Sequence, residues 1–294
     1  MDPALGAIAV YQLADLVDLD RYPITDPTSG RYRAAVHEAR EGLRADGCAI
    51  AKNLVLPAAL RILSDEIVAR KHTTHYSTQN INPYFHTKPE PAYPDRHPLN
   101  TFIERSSGFI PGDSWDAGCA TSVLFRSPDL AQFVADCLEV PGLYCYADPL
   151  AGLTANILDP GQQFTWHFDT NDFAVTVLVD EADEGGLFEY VPMTRTAEDE
   201  NFEGVQAILE GSRVGVHALD LRPGDMQLFR GRYSLHRVTR VPVGSKPRHA
   251  AIFAYTAEPG VIGRLERTIQ LFGRALPEHD AAERERVRTD ALVD

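Results

Sequence analysis

The sequence has no CxxC pair. Its four cysteines, Cys48, Cys119, Cys137 and Cys145, are dispersed, which excludes a zinc knuckle and leaves free thiols in a reducing cytoplasm as the expectation. Basic charge is also scarce. Lys and Arg number 28 against 42 Asp and Glu, a formal net charge of −14, so nucleic-acid backbones and anionic membranes, which need a positive surface, are excluded as partners. The opening run MDPALGAIAVYQLADLVDLD carries no basic n-region and breaks before signal-peptide length. Nothing in the chain approaches an uninterrupted membrane span, and there is no internal repeat. What remains is globular: 44% hydrophobic and 24% charged residues exclude disorder. One domain over residues 1–294 is the expectation for a chain of this size.

Helical patterns come first. Residues 31–46, RYRAAVHEAREGLRAD, place Ala34, Val36, Ala39 and Leu43 on or near one stripe and stop before Gly47. CAIAKNLV then reads as a short strand. LPAALRILSDEIVARKH predicts a second helix with Pro57 in its first turn and Leu60, Leu63 and Ile67 inward. The stretch from Thr73 to Pro98 is rich in Pro, Asn, Tyr and His without periodicity and reads as a long loop. A third helix, SPDLAQFVADCLE, has Ser127 as its cap.

From about Leu143 the pattern turns to short strands: LTANILD, FAVTVLVD, LFEYVP, GVHALDL, DMQLFRG and HAAIFAYTA, separated by turn clusters such as DPGQ and RPGD. Many short, evenly spaced strands imply a sandwich or closed barrel, with a jelly roll as one solution. The expected layout is helical support over about 30–140, a β core over about 143–258 and a helix over about 260–276 with Ile262, Leu265, Ile269 and Leu271 as its stripe.

The stretch FTWHFDTND carries chemistry. In an extended strand, residues two apart leave the same face, so His167 and Asp169 point at one place. A third ligand comes from GRYSLHRV, as His236. Two imidazoles and a carboxylate form a facial triad that leaves three octahedral positions of iron(II) open. Downstream, in RHAAIFAY, Arg248, Ala250, Ile252 and Ala254 alternate onto one face, and the alanines leave room for a cosubstrate beside the arginine. Arg237 and Arg240 are its rivals, and Arg237 should face away from His236.

His167-Phe168-Asp169, the distant His236 and Arg248 on the next strand together resemble the HxD…H…R pattern of iron(II)/2-oxoglutarate-dependent oxygenases. The strings ADPLAGLTANILDPGQQFTWHFDTNDFAVTVLV, GGLFEYVP and GRYSLHRV are similar, more narrowly, to the free-amino-acid halogenases and their hydroxylase relatives, from roughly residue 30 to residue 260. The resemblance implies a double-stranded β-helix (a cupin-like jelly roll) that is mainly β with flanking helices. It also implies Fe(II), 2-oxoglutarate and O2 as cofactor and cosubstrates, with His167, Asp169 and His236 on the metal and Arg248 on the far carboxylate of 2-oxoglutarate. The halogenases have a small residue where this chain has Asp169, which leaves them a halide position. The implied reaction here is therefore hydroxylation of a free amino acid or related small polar molecule, releasing succinate and CO2. Desaturation at the same centre, and a non-catalytic jelly-roll metal- or ligand-binding protein, are the alternatives.

Other residues have a plainer reading beside the functional one. Asn156 shares a strand face with Thr154 and Leu158 and is a cosubstrate contact or a structural hydrogen-bonding amide. Trp166 should face away from His167, with core packing as its default and a substrate wall as its functional alternative. Arg105, in ERSSGF, is a substrate-carboxylate contact or a surface ion pair. His217 and the pair His72 and His75 lack a carboxylate or a following arginine strand and read as structural or solvated. DEADEGG lacks calcium-loop spacing and reads as a solvated hairpin.

Overall fold

The computed structural model describes residues 11–285 and 292–293. A single turn, α1 (Leu13–Leu16), precedes α2 (Gly30–Asp46). Ser29 Oγ accepts the Tyr32 N–H to start α2, and Gly47, at φ 65°, ends it in the left-handed conformation that glycine adopts without a Cβ penalty. Its buried residues are Tyr32, Val36 and Leu43, while Ala34 turns to solvent. Strand β1 (Cys48–Ala51) and helix α3 (Pro57–Arg70), buried through Ala59, Leu63 and Ile67, follow.

The segment expected to be a long loop begins as a strand. β2 (His75–Ile81) pairs antiparallel with β3 (Ile103–Ile110) over its whole length. β2 is an edge strand whose residues are mostly half-buried or exposed, so its sequence, HYSTQNI, carries no apolar alternation to read. Helices α4 (Ala120–Arg126) and α5 (Pro128–Leu138) come next, α5 capped by Ser127 Oγ on the Leu130 N–H.

The β-rich half holds β4 (Tyr144–Cys145), β5 (Leu153–Leu158), β6 (Phe164–His167), β7 (Ala174–Asp180) and β8 (Phe188–Val191). After α6 (Phe202–Leu209) come β9 (His217–Ala218), β10 (Met226–Phe229), β11 (Leu235–Val238), β12 (Arg248–Phe253) and β13 (Tyr255–Thr256), then α7 (Leu265–Phe272) and α8 (Pro277–Glu285). A seven-stranded sheet runs β1-β10-β7-β12-β5-β3-β2 and a four-stranded sheet β6-β11-β8-β9, both antiparallel throughout. Together they form the jelly-roll core, with three of its strands, β1 to β3, drawn from the region expected to be helical support.

Strand parity divides this core. Ala155, Ile157, Val175, Val177, Val179, Leu228 and Ala251 belong to the cluster shared with α2 to α5. Their alternates Thr154, Asn156, Thr176, Gln227, Arg248, Ala250 and Ile252 line a cavity instead. Burial of the first set against the helices, roughly 1.5–3 kcal/mol for each large side chain, holds the sheet in place and leaves the second face open for chemistry.

α7 closes one side. It begins only at Leu265, so Ile262 precedes it, and Ile269 is exposed; the inward residues are Thr268 and Phe272, with Phe272 packed on Phe109 and Leu150. The expected stripe is therefore rotated. α8 is fastened by a fully buried pair: His279 Nε2 lies 3.0 Å from Asp148 Oδ2, while the other carboxylate oxygen accepts the Leu150 and Ala151 N–H groups.

Candidate active site

β6 and β11 bring the chemistry together. His236 stands opposite His167, yet Val238 stands opposite Phe164, so three residues of β6 span two of β11. The extra residue reverses side-chain parity along β6. Phe164 and His167 thereby face the same way, their rings stacked at 4.1 Å. Trp166 faces the other way, packed in a cluster with Tyr84, Leu99, Phe168 and Leu235 beneath the Arg237 guanidinium at 4.6 Å.

β6 ends at His167, so Asp169 is not carried by the regular strand that its spacing suggested. The chain is held extended by other means: the Phe168 N–H donates to Pro83 O at 2.9 Å and the Asp169 N–H to Gly231 O at 3.0 Å. The consequence for the carboxylate is the same. Asp169 Oδ1 lies 3.8 Å from His167 Nε2 and 3.5 Å from His236 Nε2.

The imidazoles are oriented by backbone. His167 Nδ1 is 2.7 Å from Thr165 O and His236 Nδ1 is 2.9 Å from Ser234 O. A carbonyl accepting from Nδ1 assigns the proton there and leaves Nε2 with a lone pair. Two such lone pairs and a carboxylate oxygen, all within 4.8 Å of one another, repel unless a cation stands among them. The N2O donor set suits iron(II), and backbone-anchored Nδ1 groups are what a metal-binding histidine needs to fix its tautomer.

Burial, aided by His236, drives the His167 pKa well below its ordinary value, so the imidazole is neutral at pH 7. Burial alone would raise Asp169, but His236, His167 and Arg267 outweigh it and hold the carboxyl below its ordinary value. Both groups are therefore in the ligating protonation state. Among the described residues, no other cluster of His, Cys, Asp and Glu converges in this way. His217 and His72 are exposed, and His75 lies in β2.

The triad opens into a cavity of about 730 Å3. Arg248 lines it from β12, 6% exposed, its guanidinium with no hydrogen bond or ion pair to any described residue. Burial lowers its pKa to about 10, which leaves it charged at neutral pH. A buried guanidinium without a protein counter-ion is expensive and forms a ready receptor for a carboxylate. Both rivals are committed elsewhere: Arg237 pairs with Glu189 at 2.7 Å and Arg240 with Glu104 at 3.1 Å.

Asn156 lines the same cavity, directly opposite Ala250 in the β5–β12 register, and its Nδ2 donates to Gly108 O at 3.3 Å. The two residues expected to touch substrate are not brought to the cavity wall. Arg105 is 1% exposed, with its guanidinium 5.5 Å from the ring centre of Phe164, whose ring does line the cavity. Trp166 is turned away by the strand parity just described.

Other lining residues were missed in the sequence. Arg267 on α7 lies over the Phe85 ring at 3.1 Å, and Phe85 in turn meets His167 edge-on at 5.2 Å. Arg232 and Arg264 line the cavity too, and Thr176 Oγ1 donates to Gln227 Oε1 at 3.2 Å on its wall. The spacing of Arg264 and Arg267, one helical turn apart, was the available hint.

The sequence matches the family model HalD, described as Halogenase D, over residues 116–263, half of the chain. The chain belongs to this family. Halogenase D proteins are iron(II)/2-oxoglutarate oxygenases, so the chain is an oxidoreductase whose cofactor and cosubstrates are iron(II), 2-oxoglutarate and dioxygen. No curated protein matches the sequence.

Solved structures similar to this Halogenase D member share its fold at low identity. A 2OG-Fe(II) oxygenase family oxidoreductase from Burkholderia pseudomallei is 11% identical with a TM-score of 0.50, covering 77% of this chain and 92% of that one. SnoN, a non-heme alpha ketoglutarate dependent epimerase from nogalamycin biosynthesis, is 13% identical with a TM-score of 0.52, covering 76% and 81%. AviO1 from Streptomyces viridochromogenes Tue57 is 15% identical with a TM-score of 0.50, covering 78% and 96%. No helix among the described residues is long and apolar enough to cross a membrane.

Proposed function

We propose that this protein hydroxylates an unactivated C–H bond of a free amino acid or a closely related small polar molecule. One observation carries the reading: a buried arginine with no counter-ion among the described residues shares a cavity with two imidazoles and a carboxylate whose donor atoms converge. His167, Asp169 and His236 would hold iron(II), and Arg248 would pair with the far carboxylate of 2-oxoglutarate through both arms of its fork. Iron(II) with 2-oxoglutarate supplies, when bound, the power to oxidise a C–H bond with dioxygen, giving an alcohol, succinate and carbon dioxide.

The chain's own contribution is placement and exclusion. Thr165 O and Ser234 O fix the two histidines in one tautomer. Phe85, Phe164, Phe188 and Phe229 pack against those imidazoles and hold their ring planes. Asn156, beside Ala250, offers an amide to whatever lies along β5 and β12. Asp169 supports hydroxylation over halogenation, because a carboxylate stands where a halide would need space.

The test is anaerobic titration of the protein with iron(II) and 2-oxoglutarate, followed by oxygen and a mass-spectrometric screen of free amino acids. A visible charge-transfer band and a product heavier by one oxygen are expected. A product lighter by two hydrogens would replace hydroxylation with desaturation. Iron-loaded protein that gives no band and no succinate would overturn the oxygenase reading in favour of a binding protein.

A further inference from the structure

The carboxylate of Asp169 divides its two oxygens. Oδ1 faces the imidazoles of His167 and His236. Oδ2 faces Gly231, in the FRGRYSLH segment five residues before His236. A Cβ built on Gly231 would lie 2.6 Å from Asp169 Cγ and 3.0 Å from Asp169 Cβ, and closer still to Oδ2. All three nearest atoms belong to this one side chain. Gly231 is not among the residues of positive φ, so its backbone would accept alanine, and the need for glycine is purely the room it gives Asp169. The two residues are also docked through backbone, with the Asp169 N–H on Gly231 O.

We propose that Gly231 is the positioning residue for the carboxylate ligand: the space left by its missing side chain seats Asp169 with Oδ1 toward the histidines. The inference rests on the metal-site reading given above. It extends that reading, because whether this centre has a carboxylate or an open position is then set by two residues, 62 apart in sequence, rather than by residue 169 alone. A methyl group at 231 would push the carboxylate off the triad while leaving both histidines and their carbonyl anchors in place. The centre would then resemble one with a small residue at position 169, open to an added anion.

The experiment uses four full-length proteins: the wild type, Asp169→Gly, Gly231→Ala and the double variant. Thermal unfolding without metal reports the seating directly. Gly231→Ala is expected to lower Tm when Asp169 is present and to do so much less in the Asp169→Gly background, where the clash is gone. Cobalt(II) titration with azide as a second ligand reports the centre. Gly231→Ala is expected to weaken cobalt(II) by about 10- to 100-fold, as removal of a supporting partner typically does, to bind azide as Asp169→Gly does, and to add nothing further in the double variant.

Equal Tm losses in both backgrounds, or wild-type cobalt(II) and azide behaviour in Gly231→Ala, would overturn the proposal. A wild type that takes up no cobalt(II) would sink the metal-site reading instead. The background-dependent Tm loss would then still decide whether Gly231 seats Asp169.

Discussion

Replacing Arg248 by methionine should move stability and cosubstrate affinity in opposite directions. In the folded protein, burial lowers this guanidinium from its ordinary 12.5 to about 10, which corresponds to about 3 kcal/mol of penalty against the charged form. Arg248 is 6% exposed, so solvent screening takes little from that figure. Methionine keeps most of the apolar stem and carries no charge, so the metal-free variant should gain about 1–3 kcal/mol. For a chain of this length that is a rise in Tm of about 2–6 °C.

Affinity for 2-oxoglutarate should fall. Truncating one partner of a buried, hydrogen-bonded charge pair costs about 2–5 kcal/mol, or roughly 30-fold and upward in Kd. Arg248→Lys should fall between, since it keeps the charge and loses the fork. Chemical denaturation of the metal-free proteins reads the first effect, and anaerobic 2-oxoglutarate titration of the metal-loaded proteins the second. A methionine variant that is less stable and binds 2-oxoglutarate as the wild type does would refute the argument, because it would make Arg248 structural.

Three further outcomes follow from particular contacts. His167 is held neutral in the fold while the unfolded chain protonates near pH 6.5. The metal-free protein should therefore lose stability as pH falls below 6.5, by up to about 1.4 kcal/mol per pH unit for that one proton, and His167→Asn should flatten this slope in urea titrations at several pH values. Asp148→Ala breaks a fully buried pair with His279 and leaves the Leu150 and Ala151 N–H groups without their acceptor. A loss of about 3–5 kcal/mol is expected in denaturation experiments, with metal affinity unchanged. Phe164→Ala removes the ring stacked on His167 and lying under Arg105, so denaturation should show a loss of about 2–4 kcal/mol and metal titration a weakened site.

The sequence was most legible where local rules and tertiary structure agreed. Gly47 and Ser127 sit at helix ends for reasons contained within four residues of chain. The strands β5, β7, β10 and β12 show apolar residues at the positions that pack on helices, and most of their alternates that line the cavity are small or polar. Arg248 and Asn156 lie among those alternates and line the cavity. His167 and His236 were legible as candidate ligands because a metal pattern is chemical, and their donor atoms converge with that of Asp169.

What escaped was set by distant partners. β2 is polar because it is an edge strand, a fact about its neighbour β3 rather than about HYSTQNI. The bulge in β6 that brings Phe164 to the face of His167 is visible only against β11. Asp169 reaches the triad by a backbone bond to Gly231, past the end of the strand that was to have carried it. Arg267 reaches the site from α7, a hundred residues after His167, and its neighbours in sequence give no sign of what it faces.

A chain of net charge −14 should repel a dicarboxylate at long range, yet four arginines, Arg232, Arg248, Arg264 and Arg267, line the cavity against three carboxylates, Asp169, Asp172 and Glu258. Low-dielectric walls strengthen that local excess where an acidic exterior is screened by salt within about 8–10 Å. Burial of that charge burdens the protein alone, as the lowered Arg248 pKa records. An anion in the cavity relieves the burden, so part of its binding strength is strain already present in the fold. A protein selected for stability alone would have buried apolar side chains there; an arginine at position 248 accords with its proposed pairing to the far carboxylate of 2-oxoglutarate.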